Sequence, residues 1–347
     1  MNGLGRKLLP LFLAMRFLGG CLAPESELII QTRVVEMEVT AAVVHEVTRV
    51  ITPRPVATPF VETVTPFPLS LHLYLAPQFA DAQAAADLAS FLQKRAGLKV
   101  EPVLVASERE VVAALCGGKA DLAFLSAPAY LVAHATCGAQ ARFITRRDGL
   151  PTYRAEIVVQ ADAVRKARGL EPISTLQDLN GKSCAYTVPV SLTGYLLPKA
   201  MLTEAGVSLK DEVFVGGETQ AIYAAYSGQQ DAAMGAWRPL RTDGSVGDAR
   251  ASLLESYPDV GQVLKVLRLS EPIPNDAIVL RKDLPQDVQG RLLAAWVDLV
   301  SQPQGRTVLG RLGGVTGLCL ANDQDYDALR QAAKTLGLDF TSLLDRR

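Results

Sequence analysis

A regular alternation of strand-like and helix-like segments after residue 68 constrains the fold of this chain most strongly. Short apolar, β-prone runs such as residues 69–76 and 99–105 are each followed by a run with helical periodicity, at 81–96 and 108–115 in these two cases. Strands that alternate with helices are typical of mostly parallel sheets covered by helices. The roughly 280 residues involved exceed the usual size of one domain, so the sequence predicts two α/β lobes.

One strand is followed by a loop that is suited to binding an anion. Residues 182–188 form an apolar, β-prone run, and Ser191, Thr193 and Gly194 then precede a helix-like run at 195–204. Hydroxyl groups and backbone N–H groups at a helix N-terminus bind anions well. The loop is therefore a candidate oxyanion site. The alternative is that Ser191 or Thr193 only caps the helix.

The order of motifs from about residue 69 to about residue 340 resembles the periplasmic binding proteins of phosphate, phosphite and phosphonate ABC importers. The motifs are, in chain order, D-L-N-G-K at 178–182, P-V-S-L-T-G-Y at 189–195, G-G-E-T at 216–219, D-A-A at 231–233 and I-P-N-D at 273–276. The resemblance implies a type II periplasmic-binding-protein fold. In this α/β fold, two lobes are joined by a hinge of two crossover strands, and the ligand binds in the cleft between them.

The resemblance also implies how the chain is divided. Residues 69–160 and 268–347 would form lobe one, and residues 161–267 would form lobe two. A strand at 152–163 would carry the chain into lobe two, and the segment after residue 263 would carry it back.

In this family the ligand is held by groups at strand ends that face the cleft. Seven residues would contribute here, three on lobe one, one at the hinge and three on lobe two: Gln78, Ser126, Tyr130, Tyr153, Ser191, Thr193 and Gly194. The alternatives are that Tyr130 packs against its own helix and that Tyr153 braces the crossover. We expect hydrogen bonds from the lobe-two loop to hold the oxygen atoms of an anion.

The site departs from the family pattern at several positions. Leu192 stands where the family has a hydroxyl residue, and Glu218 stands where it has a histidine that donates to the phosphoryl group. In one interpretation, Arg238 supplies the missing positive charge, with Glu218 as its salt-bridge partner. In another, Glu218 and Asp276 hold a cation on which Trp237 stacks. A third interpretation is that Glu218 caps the following helix and Asp276 is a turn or hinge residue.

The N-terminus has the pattern of a bacterial lipoprotein signal peptide. Arg6 and Lys7 precede an apolar run at 8–17, and the sequence L-G-G-C that ends at Cys21 resembles a lipobox, although Arg16 departs from the pattern. We therefore expect removal of residues 1–20 and lipidation of Cys21. The alternative is a buried N-terminal helix with an incidental cysteine.

The Val-, Thr- and Pro-rich residues 21–68 predict an extended tether between the lipid anchor and the folded body. The alternative for residues 33–50, which alternate in polarity, is a strand that pairs with the main body. The formal net charge is −1 and the sequence contains no basic stripe, so we expect no nucleic-acid partner.

Four cysteines remain after Cys21, and they allow three complete pairings. The sequence does not choose among Cys116, Cys137, Cys184 and Cys319, but Cys116 and Cys137 are expected in one lobe and are one candidate pair. The chain has three histidines and no CxxC or HExxH pattern, so we expect neither a metal site nor a cofactor.

The leading functional hypothesis is an extracytoplasmic, lipid-anchored, monomeric binding protein. It would capture a small oxyanion of the phosphate, phosphite or phosphonate type and deliver it to the permease and ATPase subunits of an ABC importer. The alternatives are a ligand sensor that docks on a membrane kinase and a binding protein for a small cationic or zwitterionic solute. An enzyme is not expected, because no Cys/His motif is present and nothing places Glu218 and Asp276 at a catalytic separation.

Overall fold

The computed structural model describes residues 70–240 and 244–344. The predicted signal peptide, Cys21 and the predicted tether lie outside the described residues. No helix in the described part of the chain is both long and apolar enough to cross a membrane.

The described residues contain twelve strands, which fall into two sheets. They are β1 (Ser70–Leu75), β2 (Lys99–Leu104), β3 (Leu122–Leu125), β4 (Gln140–Arg146), β5 (Thr152–Gln160), β6 (Ser183–Tyr186), β7 (Asp211–Phe214), β8 (Ala232–Trp237), β9 (Leu264–Leu269), β10 (Ile273–Pro274), β11 (Ala277–Leu280) and β12 (Gly317–Leu320).

Helices connect and cover these strands. In the same part of the chain they are α1 (Ala82–Ala96), α2 (Glu108–Cys116), α3 (Ala127–Cys137), α4 (Asp162–Ala167), α5 (Leu197–Glu204), α6 (Glu218–Ser227), α7 (Val260–Val263), α8 (Gln286–Ser301), α9 (Pro303–Arg311), α10 (Asp327–Leu336) and α11 (Thr341–Leu344). Short 3₁₀ turns occupy Pro77–Phe79, Gln177–Leu179, Ala249–Leu253 and Asp323–Tyr326, and a π-helical turn occupies Leu192–Leu196.

The first sheet has the strand order β2-β1-β3-β11-β4-β12. Strands β1, β2 and β3 are parallel, whereas β11, β4 and β12 pair in antiparallel fashion. One face is covered by α1 and α8, where Phe124 packs between Phe79 and Trp296 with ring centroids 5.1 and 5.7 Å away. Aromatic contacts of this kind add to the burial that stabilises the lobe.

The second sheet has the order β7-β6-β8-β5-β10, and β9 also pairs with β5. Strand β5 is antiparallel to β8, from Arg154 opposite Trp237 to Val159 opposite Ala232. Residues 152–160 therefore belong to the second sheet, although the boundary expected from the sequence assigned them to lobe one. The expected boundary at residue 268 likewise falls inside β9.

The sheets are mixed, whereas the sequence predicted mostly parallel ones. Each sheet keeps three parallel strands, and four of the antiparallel strands, β4, β5, β10 and β11, flank the two places where the chain passes between the sheets without a helix. Parallel neighbours need a long crossover connection, whereas short connections join antiparallel strands. The two-lobed α/β architecture itself is confirmed.

The first passage between the sheets is a tight turn between β4 and β5. Arg147 and Leu150 form an isolated bridge, and the two residues between them have positive φ, 51° at Asp148 and 77° at Gly149. An Asp-Gly pair suits a two-residue turn because aspartate tolerates and glycine favours this left-handed conformation. The second passage consists of the two residues between β10 and β11, Asn275 and Asp276.

A disulfide joins Cys116 at the end of α2 to Cys137 at the end of α3. This bridge settles the pairing that the sequence left open for these two cysteines. Cys184 on β6 is a fully buried free thiol.

We expect simultaneous replacement of Cys116 and Cys137 by Ala to lower the free energy of unfolding by about 3 kcal/mol, because the bridge restricts a loop of 21 residues in the unfolded chain. Denaturant unfolding without reductant measures the difference. Added reductant should weaken the wild-type protein and leave the double variant unchanged. Equal stability of both proteins in the absence of reductant would contradict a stabilising bridge.

Candidate functional site

A cleft of about 1280 Å³ lies where the ends of the two sheets approach each other. Its lining comes from the loops that follow β1, β2 and β3, from the residues that follow β8, and from the two passages between the sheets. Side chains at the carboxyl ends of parallel strands meet at one edge of a sheet, which is where α/β proteins commonly bind ligands.

The wall contributed by the first sheet carries Gln78, Ser126 and Glu108. Gln78 is exposed in the 3₁₀ turn after β1, and Ser126 precedes α3. The carboxylate of Glu108 accepts a hydrogen bond from the Ser126 amide at 2.6 Å and another from its hydroxyl at 2.8 Å. The predicted residues Gln78 and Ser126 thus border the cleft, and Glu108 borders it as well.

Tyr130 does not border the cleft, in contrast to the expectation from the sequence. Its ring is buried against Tyr326, with centroids 4.5 Å apart, and its hydroxyl donates to Asp323 at 3.0 Å. Burial and the neighbouring carboxylate raise the pKa of Tyr130 to about 12. Tyr130 is therefore a packing residue, as in the alternative interpretation of the sequence. Tyr153, at the start of β5, does border the cleft.

The predicted oxyanion loop folds as a π-helical turn that leads into α5. Pro198 has no N–H to donate to the carbonyl of Gly194 four residues earlier, and this carbonyl accepts from the Thr187 amide at 3.1 Å instead. The Gly194 amide donates to the Ser191 hydroxyl at 2.9 Å. Ser191 therefore caps the turn, and of the three predicted residues only Thr193 borders the cleft.

The side chain of Glu218 contacts the backbone near the end of strand β8. It is the first residue of α6, and its Oε2 accepts a hydrogen bond from the amide of Ala236 at 2.9 Å. Burial raises the pKa of Glu218, and the Ala236 amide and the charge of Arg238 lower it in part. Glu218 does not border the cleft, so its carboxylate does not face a ligand there.

Two arginines that border the cleft are paired with carboxylates. Arg238 forms an ion pair with Asp148 at 2.6 Å, with about half of its side chain exposed, and Arg147 forms one with Asp276 at 2.5 Å. The expected salt bridge between Arg238 and Glu218 is therefore wrong. The expected pairing of Glu218 and Asp276 around a cation is also wrong, because each carboxylate has a different partner.

Arg154 is the important cleft residue that our reading of the sequence missed. It lies on β5 and borders the cleft, and its Nη1 donates to the carbonyl oxygen of Ser270 at 2.6 Å. Within residues 70–240 and 244–344, no carboxylate forms an ion pair with Arg154. A guanidinium has five N–H donors, so one hydrogen bond to a neutral carbonyl leaves its charge and most of its donors for an anion.

A fully buried carboxyl group, Glu156, lies two residues beyond Arg154 on β5. Its Oε1 accepts from the Ala249 amide at 3.2 Å, and the ion pair of Asp248 and Arg250 lies close by. Burial, reinforced by the negative charge of Asp248, raises the pKa of Glu156 to about 9. Glu156 is therefore protonated at neutral pH in the folded protein.

This shift predicts a pH dependence of stability. Between the pKa of the unfolded glutamate, near 4.5, and the folded value of about 9, the folded state binds one more proton than the unfolded state. The free energy of unfolding therefore falls as pH rises through this window, by about 3 kcal/mol between pH 4.5 and 7. Denaturant unfolding at several pH values measures the slope. A Glu156→Gln variant should lose this contribution, and an unchanged pH profile in the variant would contradict it.

The cleft residues that were not predicted have only weak signals in the sequence. The Asp148-Gly149 pair between two strands marks a turn, and Arg147 flanks it. The sequence around Arg154 indicates only a charged residue near the start of a strand. It does not predict which lobe that strand joins. Glu108 is the first residue of α2 and follows the N-cap residue Ser107. Acidic residues are common at this position because they stabilise the helix, so the sequence gives no sign of a role in the cleft.

Among the described residues, no cluster of three or more histidine, cysteine, aspartate or glutamate side chains could hold a metal ion.

Comparison with known proteins identifies similar chains. A model of the family described as "ABC transporter, phosphonate, periplasmic substrate-binding protein" matches residues 74–326. The phosphate-import protein PhnD of Mycolicibacterium smegmatis is 30% identical over 187 residues, which cover 49% of this chain and 56% of that protein. The phosphonates-binding periplasmic protein of Escherichia coli is 26% identical over 231 residues, 64% of this chain and 63% of the relative. The matches thus span less than two thirds of either relative.

A solved structure supports the fold. XAC2383 from Xanthomonas citri, in a structure bound to ATP, superimposes with a TM-score of 0.56 at 17% identity, covering 80% of this chain and 98% of that chain. At this level of identity, the likeness concerns the fold alone.

Proposed function

Because the chain belongs to the ABC-transporter family of periplasmic phosphonate substrate-binding proteins, we propose that it captures a small phosphorus oxyanion in its cleft and delivers it to an ABC importer. The fold is accordingly the two-lobed type II fold of periplasmic binding proteins, and the family consists of substrate-binding transport proteins rather than enzymes. Phosphate, phosphite and simple phosphonates are the candidate ligands.

The observation that carries the proposal is the guanidinium of Arg154 in the cleft. Arg147 and Arg238 are neutralised by Asp276 and Asp148, whereas Arg154 donates only to a backbone carbonyl among the described residues. A guanidinium matches the geometry of a phosphoryl group and binds two of its oxygens at once. Thr193 offers a hydroxyl to the same cleft. Arg154 takes the role that the family gives to the histidine replaced by Glu218.

A thermal-shift and calorimetric panel on the purified protein tests this proposal. The panel contains phosphate, phosphite, methylphosphonate, 2-aminoethylphosphonate, sulfate and a neutral sugar. A ligand at 100 times its dissociation constant stabilises the protein by about 2.7 kcal/mol, which raises the melting temperature by several degrees. A response to at least one phosphorus oxyanion is expected. Silence to all of them in correctly folded protein would refute the proposal.

An aminophosphonate is a second candidate ligand, because three carboxylates border the same cleft: Glu108, Asp148 and Asp276. An ammonium group would be attracted to these side chains while the phosphonate contacts Arg154. In the same panel, 2-aminoethylphosphonate should then bind at least about tenfold more tightly than methylphosphonate. Equal affinity for the two would leave the carboxylates without a role in binding an amine.

We also propose that the protein acts as a monomer outside the cytoplasm, anchored through lipidated Cys21 and separated from the membrane by residues 21–68. The lipobox-like sequence supports this proposal, and a membrane location would place the cleft near a permease. Cell fractionation tests it, since a Cys21→Ser variant should move from the membrane to the soluble fraction. Retention of the variant on the membrane would show that another element anchors it.

A further inference from the structure

The two tryptophans of the chain have different surroundings, and only Trp237 borders the cleft. Trp296 on α8 is fully buried and packs edge-on against Phe124. Trp237 is the last residue of β8 and is half-buried. Among the described residues, neither the apolar core clusters nor the paired aromatic rings include Trp237. Packing in an apolar core therefore accounts for Trp296 and does not account for Trp237.

Trp237 lies beside the guanidinium to which the proposed function assigns the anion. In the antiparallel ladder between β5 and β8, Trp237 is directly opposite Arg154, and both residues border the cleft. Side chains at opposite positions of such a ladder point to the same face of the sheet, with Cβ atoms about 5 Å apart. A group attached to a phosphorus atom whose oxygens contact Arg154 is therefore within reach of the indole.

The face of the indole is not covered by an arginine of the protein. Arg154 donates to a backbone carbonyl. In the part of the chain that the structure describes, the cation–π contact is that of Arg95 over Phe91, so neither Arg154 nor Arg238 stacks on the Trp237 ring. The ring is thus open to a group of a ligand in the cleft.

Exposed apolar side chains lie in the same part of the cleft. Leu150 follows the turn between β4 and β5, and Leu240 lies three residues after Trp237; they are 39% and 63% exposed, and both border the cleft. The ion pair between Arg238 and Asp148 joins the two segments that carry these leucines. Exposed apolar side chains that gather at one pocket mark a binding site, whereas isolated ones do not. Inorganic phosphate has no apolar surface with which to contact them.

We propose that Trp237 forms an apolar subsite beside Arg154, and that the cleft takes a phosphorus oxyanion with a flat apolar substituent, such as an arylphosphonate or an aryl phosphate. The inference rests on the proposed function and adds the class of the organic group to it. The ionised oxygens contact Arg154, and the substituent lies against the indole, with Leu150 and Leu240 nearby. Contact between aromatic rings stabilises a complex beyond the burial of their area.

A contact between Trp237 and the opposite wall of the cleft when the lobes close is the alternative role for this ring. Such a contact would strengthen the binding of every ligand by the same factor, because it forms whatever group the ligand carries. An apolar subsite strengthens the binding only of ligands that have an apolar group. The ratio of the affinities of two ligands therefore separates the two roles.

Methylphosphonate and phenylphosphonate form the appropriate pair of probes. They share the phosphonate group, and at slightly acidic pH each carries mainly one negative charge. We expect the wild-type protein to bind phenylphosphonate at least about tenfold more tightly than methylphosphonate, and more tightly than inorganic phosphate, in isothermal titration calorimetry. In Trp237→Ala the two phosphonates should bind within about threefold of each other, whereas Trp237→Phe keeps a ring and should retain most of the preference.

Tyr223→Ala is the matched control. Tyr223 is an exposed aromatic residue on α6, in the same lobe as Trp237, and does not border the cleft. Its replacement removes an aromatic ring from the surface and should leave the ratio of the two affinities unchanged. Thermal unfolding verifies that each variant is folded.

The outcomes distinguish this inference from the proposed function. If the wild-type protein binds neither phosphate nor either phosphonate, the proposed function fails. If it binds methylphosphonate as tightly as phenylphosphonate or more tightly, the inference alone is overturned, and no variant is needed to reach that result. A wild-type preference that persists within about threefold in Trp237→Ala would also overturn it, because the selectivity would then belong to other residues.

Discussion

Replacement of Arg154 by Gln is expected to weaken the binding of methylphosphonate by roughly 10- to 100-fold. A hydrogen bond to a charged group contributes about 1.5–3 kcal/mol, and Gln keeps a polar side chain but loses the charge and the guanidinium fork. Isothermal titration calorimetry on the folded variant measures the loss. The melting temperature should change little, because the side chain makes one hydrogen bond to a backbone carbonyl.

Two further arginine variants make this result specific. Arg268 is exposed on β9 and lies outside the cleft, so Arg268→Gln removes the same charge and should leave the affinity unchanged. Arg238 borders the cleft but is paired with Asp148 in an exposed position, and we expect Arg238→Gln to weaken binding by less than about threefold. If Arg238→Gln weakens binding more than Arg154→Gln does, Arg238 makes the main contact with the anion, as one interpretation of the sequence had it.

Replacement of Gly194 by Ala is expected to lower the free energy of unfolding by about 2–3 kcal/mol. A Cβ at this position would overlap Oγ1 and Cγ2 of Thr187 and would lie 2.7 Å from its Cβ. Thr187 is buried, and its amide is bonded to the Gly194 carbonyl, so neither residue can move away without the loss of that hydrogen bond. Overpacking in such a site typically costs about 1–3 kcal/mol. Denaturant unfolding provides the measurement.

Gly290 offers a matched control for this substitution. It lies exposed within α8, and no atom lies within 4 Å of the Cβ that alanine would add. Gly290→Ala should therefore leave stability unchanged or raise it by up to about 1 kcal/mol. A Thr187→Ala substitution removes two of the three close atoms and should recover part of the loss in Gly194→Ala. Additive effects of the two changes would show that the overlap is not the cause.

Much of the fold could be predicted because it depends on local periodicity. The apolar runs that became β1, β2 and β3 alternate with amphipathic helices, and this pattern is legible without tertiary information. The mixed character of the sheets was not predicted. It depends on which sheet β5 joins, and the ladder between β5 and β8 forms between residues about 80 positions apart.

The candidate site was predicted less well, because a residue type does not tell which partner the side chain will meet. Glu218 was expected to pair with Arg238, to hold a cation or to cap its helix, yet its partner is the amide of Ala236, a backbone group with no sequence signature. A serine at position 191 could either bind an anion or cap a helix. In the structure it caps the turn that precedes Pro198. Arg154 could not be distinguished from a surface arginine before its strand was placed.

The buried thiol of Cys184 gives the second lobe a reporter of its own local opening. Burial raises the pKa of this thiol, and a soluble alkylating reagent reaches it only when the sheet around β6 separates. With Cys21 and Cys319 replaced by Ser, the rate of modification measures the free energy of that opening separately from global unfolding. Bound ligand would lower the logarithm of the modification rate in proportion to the free energy by which it opposes that opening.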